Sequence, residues 1–235
     1  MQFYALVEEW PRESFVFFRE LPGYFSSAST TAEALEAAPA AIAHYFRWLK
    51  QNDIVLVEED INPISVVLRE QVALTSPDEH AGPLFVADRA APDDLEIENA
   101  LNVAATARAL IIEFVANVPA SLYDQTPVHG GWSLTQHLHH IMETECWYVS
   151  RLQEHPLAAQ PELPMSTDDI SMRIFENAMD SEIILHDFPA EQRSSVFVHD
   201  GEAWTLAKVL RRMAQHLREH YPWMEEIVQQ FSVVQ

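Results

Sequence analysis

Apolar and polar positions follow different patterns in the two halves of the chain. Residues 3–8 and 14–20 are short runs rich in aromatic and β-branched residues, which predicts two strands joined by a turn. Apolar residues at helical spacing then predict a helix from about residue 31 to residue 49, with a kink or a restart at Pro39. The apolar run at residues 53–60 predicts a further strand. These elements together indicate a small α+β unit.

The second half of the chain has the spacing of amphipathic helices. The pattern predicts four of them, at residues 93–118, 133–154, 166 or 167 to 185, and from 205 onward. Four helices joined by two longer connections favour an all-α four-helix bundle. Pro222 lies in the last helix and is expected to kink or interrupt it.

The segment between the two halves carries several prolines and no sustained period. We interpret it as a connection with one strand at residues 64–69. The predicted organisation is therefore an α+β unit at residues 1–60, a connecting segment at 61–91 and a helical bundle at 92–235.

Composition narrows the classes of partner. The chain has 36 acidic against 14 basic residues and a net charge of −22, which disfavours nucleic-acid and anionic-membrane partners. Its single cysteine, Cys146, excludes an intramolecular disulfide and a thiolate metal cluster. The N-terminus does not have the pattern of a signal peptide, and the most apolar run, residues 101–122, is broken by polar residues. We expect a cytoplasmic protein.

Histidines on two of the predicted helices are candidate metal ligands. His216 and His220 are four residues apart and therefore lie on one face, close to the apolar stripe of the last helix. On the 133–154 helix, His137 lies nearer the centre of the apolar stripe than His140, and His139 points away from it. Periodicity alone would select His137 as the third ligand, with His140 second.

Two further side chains on that helix, Glu145 and Cys146, could take part in the chemistry of a site. Glu145 is a carboxylate in the middle of an apolar face, where burial is costly without a partner. We assign it a base role or a supporting role beside the metal. Cys146 faces away from the stripe and is interpreted as an ordinary small apolar residue.

The first half of the chain resembles the HicB-like fold, a degraded ribonuclease-H-like unit. The resemblance is carried by residues 20–25, ELPGYF, and by Thr31-Ala32-Glu33-Ala34 at the start of the helix. It implies a small packing or protein-binding module. HicB proteins often add a DNA-binding domain, but no such domain is recognisable in this sequence.

Residues from about 93 to 231 resemble the DinB-like superfamily of four-helix bundles, which includes YfiT-like proteins. The shared pattern is a Trp-Ser helix start, here Trp132-Ser133, a histidine eight residues after the tryptophan, and a later His-x-x-x-His. Counting from Trp132 selects His140 as the third ligand beside His216 and His220, with His137 as its rival. The resemblance implies a divalent ion, zinc or nickel, and a homodimer.

Two classes of function follow from these observations. One is a metal-dependent enzyme acting on a small molecule, either by transferring a low-molecular-weight thiol to an electrophile or by hydrolysis. The other is a non-enzymatic stress or regulatory protein, in which the HicB-like module binds a partner and the bundle is a scaffold or a metal sensor. The intact three-histidine set favours the first class, and the additional module favours the second.

Overall fold

The computed structural model describes residues 1–56, 63–75, 82–128, 130–153 and 167–232. Its N-terminal part is a four-stranded sheet in the order β3-β2-β1-β4. The strands are β1 (Gln2–Glu9), β2 (Ser14–Phe17), β3 (Ser26–Ala28) and β4 (Ser65–Ala73). Strand β1 pairs antiparallel with β2 and parallel with β4.

One helix, α1 (Thr31–Gln51), packs against this sheet. Thr30 caps its start by accepting a hydrogen bond from the Glu33 amide. The helix is continuous through Pro39, so the predicted restart is wrong. Proline removes one backbone hydrogen bond, and here the buried face formed by Ala38, Ile42 and Tyr45 holds the helix together across that gap.

The strand predictions have mixed outcomes. Those at residues 3–8 and 14–20 are confirmed by β1 and β2, and the one at residues 64–69 is confirmed by β4. The strand predicted at 53–60 is wrong for residues 53–56, and the rest of it lies outside the described residues. The amide of Ile54 still bonds to Leu49 O at the end of α1, which keeps this segment close to the helix terminus.

Strand β4 lies in the segment that was expected to be a connection. It pairs along its whole length with β1, so part of this segment completes the N-terminal sheet. Pairing between strands so far apart in sequence has no local signal. The division near residue 60 stays a prediction.

Four long helices follow in the part of the chain that the structure describes. They are α2 (Asp94–Ala116), α3 (Leu134–Ser150), α4 (Thr167–His186) and α5 (Leu206–Ser232). Helices α2 and α3 each pack against both α4 and α5. A small sheet module followed by a helical region is thus confirmed. Helix α5 runs through Pro222 to Ser232, so the predicted interruption there is wrong.

A hairpin precedes α5 in a stretch that periodicity left irregular. Strands β5 (Phe197–His199) and β6 (Glu202–Trp204) pair antiparallel around Asp200 and Gly201. Both turn residues have positive φ, 53° and 84°. Asp-Gly is the sequence signature of such a two-residue turn, so a signal for this hairpin was present.

Helix α2 is long and apolar enough to cross a membrane by length and composition. It nevertheless packs against α4 and α5, and its buried face includes the charged side chain of Arg108. A core helix of a folded domain has these same properties.

Helix α5 also joins the bundle to the sheet module through buried charges. The guanidinium of Arg211 bonds to Glu8 on β1 and to Asp88, at 3.3 and 2.9 Å, and all three side chains are buried. The same guanidinium lies over the rings of Phe17 and Phe85. Charge pairing and ring packing therefore hold α5 against the sheet.

A second arginine extends this contact two turns along α5. Arg218 donates a hydrogen bond to Gly23 O and lies over the rings of Tyr45 and Trp48 on α1. The same buried core cluster contains residues of the sheet, of α1 and of the helical region. The two parts of the chain are packed together rather than merely tethered.

We predict that Arg211→Met lowers the free energy of unfolding by about 3–5 kcal/mol, because it removes the guanidinium bonded to buried Asp88 and leaves buried Glu8 paired only with Arg212, at 3.7 Å, among the described residues. Arg193→Met is the matched control, since Arg193 pairs with Asp94, which is 90% exposed. The control should lose less than about 1 kcal/mol. Urea unfolding followed by tryptophan fluorescence measures both. Equal small losses would show that the buried pairs do not stabilise the junction.

Candidate metal centre

The start of α3 determines where its histidines point. Ser133 accepts a hydrogen bond from the Gln136 amide, and the Gln136 side chain accepts one from the Ser133 amide. This reciprocal cap fixes the first turn of the helix. One turn later His137 is buried on the inward face, and His140 lies half-buried on its edge.

Helix α5 presents the other two histidines. His216 and His220 are one turn apart on the face that meets α3, and His220 is almost completely buried. The helix starts after Thr205, whose hydroxyl accepts a bond from the Lys208 amide and donates one to Asp88 O. The cap therefore also ties the start of α5 to the loop that carries Asp88.

Three imidazole nitrogens converge between the two helices. His216 Nε2 lies 2.9 Å from His140 Nε2 and 3.0 Å from His220 Nε2. Each nitrogen has either one proton or one lone pair, so His216 Nε2 cannot form a good hydrogen bond with both neighbours. A cation shared by three lone pairs would satisfy all of them. For comparison, two nitrogens bound to one tetrahedral zinc lie about 3.3 Å apart.

Two of the remaining ring nitrogens of these three histidines have partners. His220 Nδ1 lies 2.8 Å from His137 Nδ1, and His140 Nδ1 lies 3.3 Å from the hydroxyl oxygen of Thr144. If His220 uses Nε2 as a ligand, its proton is on Nδ1 and is donated to His137. Partners of this kind fix the tautomer and orientation of metal-binding histidines.

Both candidates for the third ligand, His137 and His140, are therefore part of the histidine cluster, but they occupy different places in it. His140 shares the group of close donor atoms with His216 and His220. His137, the more deeply buried of the two, contacts the opposite nitrogen of His220. His139 is partly exposed and is not in this group.

Aromatic rings enclose the cluster. Trp132 packs against His140 and His137 with ring centroids 4.6 and 5.4 Å apart, and it stacks nearly parallel to His220. Trp223 lies edge-on to His220 at 5.1 Å. In the sequence, Trp132 was recognisable only as a helix-start signal. Trp223 was not predicted to belong to the site, although its position three residues after His220 puts it on the same side of α5.

Glu145 is on the inward face, as its position predicts, and it is paired. Arg108 on α2 donates to both of its oxygens, at 2.6 and 3.3 Å, and also bonds to Glu182 on α4. This ion pair supplies the partner that a buried carboxylate requires. Arg108 was visible in the sequence as a charge inside an apolar run, but nothing local linked it to Glu145. The base role of Glu145 stays a prediction.

Burial keeps the four histidines neutral. It lowers the pKa of His137 to about 4 and that of His220 to about 3, with smaller contributions from the neighbouring histidines. Burial likewise lowers the pKa of His140, and it lowers the pKa of His216 well below its ordinary value. Neutral imidazole is the form that binds metals. The donor set thus fits a divalent ion at neutral pH.

The metal-free protein should lose stability as the pH falls below about 6.5. The unfolded histidines take up protons there, while His137 and His220 stay neutral in the folded protein down to pH about 4 and about 3. Between pH 7.5 and 5.5 we expect His137→Gln to lose about 1 kcal/mol less than the unmodified chain. Urea unfolding at both pH values measures this, with His139→Gln as control. If His137→Gln lost as much stability as the unmodified chain, His137 would not be held neutral in the folded protein.

Comparison with known proteins identifies the family. The model of the DinB superfamily matches residues 104–224, which is more than half of the chain and includes His140, His216 and His220. No curated protein and no solved structure matches the chain significantly. The extent of the family match, over the helices that carry the three converging histidines, shows that the chain belongs to the DinB superfamily.

Proposed function

We propose that this protein is a divalent-metal-dependent enzyme whose ion is held by His140, His216 and His220. The observation that carries the proposal is the convergence of three Nε2 atoms between α3 and α5. Membership of the DinB superfamily is consistent with it. His137 and Thr144 would orient two of the ligands rather than bind the ion.

The chemistry of the donors suits zinc and nickel, which are the ions that we propose. In the described part of the chain, the group of close donor atoms consists of imidazoles alone. Imidazole suits zinc, copper, iron and nickel better than magnesium or calcium. Three protein ligands also leave coordination positions for a water or a substrate, as in catalytic zinc sites.

The proposed substrate is a small molecule, with a low-molecular-weight thiol as the first candidate. When bound, a divalent ion lowers the pKa of a coordinated water or thiol and so supplies a nucleophile near neutral pH. The residues of this chain hold the ligand nitrogens in place, and Trp132 shields one side of the cluster. Transfer of the thiol to an electrophile and metal-dependent hydrolysis use the same arrangement. Product analysis with a panel of thiols, electrophiles and esters distinguishes them.

We predict that alanine at His140, His216 or His220 removes most of the bound metal. His137→Ala should instead weaken metal binding by about 10–100-fold, because it removes a hydrogen-bond partner of a ligand and not the ligand itself. Elemental analysis after purification, followed by titration with zinc and nickel, measures both effects. His139→Ala is the control and should retain full occupancy.

Two results would change this assignment. If His137→Ala loses the metal completely while His140→Ala keeps it, the third ligand is His137. If all four variants retain full occupancy, the metal is elsewhere and the enzyme proposal loses its main support. Turnover that is unaffected by a chelator would also count against it.

We further propose that the protein is a homodimer that associates through α4. Four large apolar side chains, between 50% and 61% exposed, recur there at helical spacing: Met172, Phe175, Met179 and Ile183. Their spacing places them on one face, opposite the residues that α4 buries against α2 and α3. A continuous apolar stripe of this kind is typical of an interface.

Phe175→Glu should convert the dimer into monomers, because it places a charge in the centre of the stripe. Val198→Glu is the matched control, since Val198 is an exposed apolar residue on the hairpin, away from α4. Sedimentation velocity at micromolar concentration measures the change. A monomeric unmodified protein would refute the proposed dimer, and an unchanged dimer in Phe175→Glu would refute its location.

The alternative function is a non-enzymatic stress or regulatory protein with a HicB-like binding module. The observation that favours it is β4, a nine-residue strand at the edge of the sheet with exposed Val67 and Leu68. Among the described residues, no strand pairs with the outer edge of β4, and such an edge can add a strand from a partner. The net charge of −22 favours a protein partner over a nucleic acid. Partner binding that is lost on Leu68→Lys, without any metal-dependent turnover, would support this alternative.

A further inference from the structure

A cleft of about 450 Å³ opens beside the histidine cluster. It lies between the loop before α3 and the last turns of α5. Its side-chain lining consists mainly of Trp132, His137, Trp223, Glu226, Ile227 and Gln230. Its volume is within the range of small-molecule sites. His137 contacts His220, and Trp132 contacts His140. His137 and Trp132 therefore form a wall between the cleft and the proposed metal centre.

The walls of this cleft have the chemistry of a cation site. Trp132 and Trp223 are 44% and 45% exposed, so a large part of each indole is open to a ligand. Glu226 supplies a carboxylate, and the lining residues in the described part of the chain include no lysine or arginine. Aromatic faces combined with a carboxylate attract organic cations.

We propose that the cleft binds a small organic ammonium ion. Trp132 and Trp223 contact the cationic group, and Glu226 neutralises its charge. That this ligand is the substrate rests on the proposed function. Its binding does not, since no lining residue is one of the three proposed metal ligands.

Three probes of similar shape and different charge test this proposal. Choline is cationic, 3,3-dimethylbutan-1-ol is its neutral isostere, and 3,3-dimethylbutanoate is anionic. We expect choline to bind about tenfold more tightly than the neutral alcohol, with no measurable binding of the anion. Quenching of tryptophan fluorescence in the full-length protein, checked by calorimetry, gives the three affinities. Equal affinity for choline and the alcohol would overturn the cation assignment.

Variants separate the contributions of the lining residues. Trp223→Leu and Glu226→Gln should each weaken choline binding by about three- to tenfold, and Glu226→Gln should leave binding of the neutral alcohol unchanged. Glu225→Gln is the matched control, since Glu225 immediately precedes Glu226 in the sequence but does not line the cleft. Choline binding that survives Trp223→Leu and Glu226→Gln unchanged would place the site elsewhere.

Measurement with and without metal distinguishes this proposal from the proposed function. The titrations are carried out on protein stripped by a chelator and on protein reloaded with zinc. Binding of choline to the stripped protein supports the cation site even if the protein proves to hold no metal. A protein that holds metal through its three histidines but does not bind choline in either state would refute the cation site and leave the metal centre intact.

Discussion

The placement of α5 depends on the buried charge of Arg211. Its guanidinium lies between Glu8 of the sheet and Asp88 of the loop before α2, and the rings of Phe17 and Phe85 cover it. A buried cation is tolerated only where its partners are fixed, so this contact permits one register of α5 against the sheet. The N-terminal module therefore acts as a support that sets the position of a helix belonging to the bundle.

The geometry of the histidine cluster depends on the position of α5. His216 and His220 follow Arg211 along the same helix, and they meet two histidines whose own positions are set by the Ser133 cap of α3. Four imidazoles brought together in a buried space cannot all be charged, and burial lowers their pKa values accordingly. The fold thus stores a set of neutral donors, which a divalent ion would bind without first displacing protons from them.

The proposed metal centre and the cleft share a wall, and each would contribute separately to ligand binding. The histidines face inward between α3 and α5, whereas Trp132 and Trp223 face both the histidines and the cleft. An organic cation in the cleft would lie on the far side of that wall from the ion. The strongly acidic surface of the chain would assist the approach of such a cation.

Local patterns in the sequence determined the strands β1 and β2, the helices and the inward faces of α3 and α5, because periodicity and capping act over a few residues. The same patterns placed His216 and His220 on one face and put Glu145 on the buried side of α3. They could not pair β4 with β1, link Arg108 to Glu145 or bring Trp223 beside His137, because those contacts join residues far apart in the chain. Periodicity favoured His137 over His140 as the third ligand, whereas the group of close donor atoms contains His140. Only the packing of α5 against α3 decided that Nδ1 of His220 meets His137, while its Nε2 joins the Nε2 atoms of His216 and His140. This arrangement depends on the distance and rotation between the two helices and not on the sequence of either one.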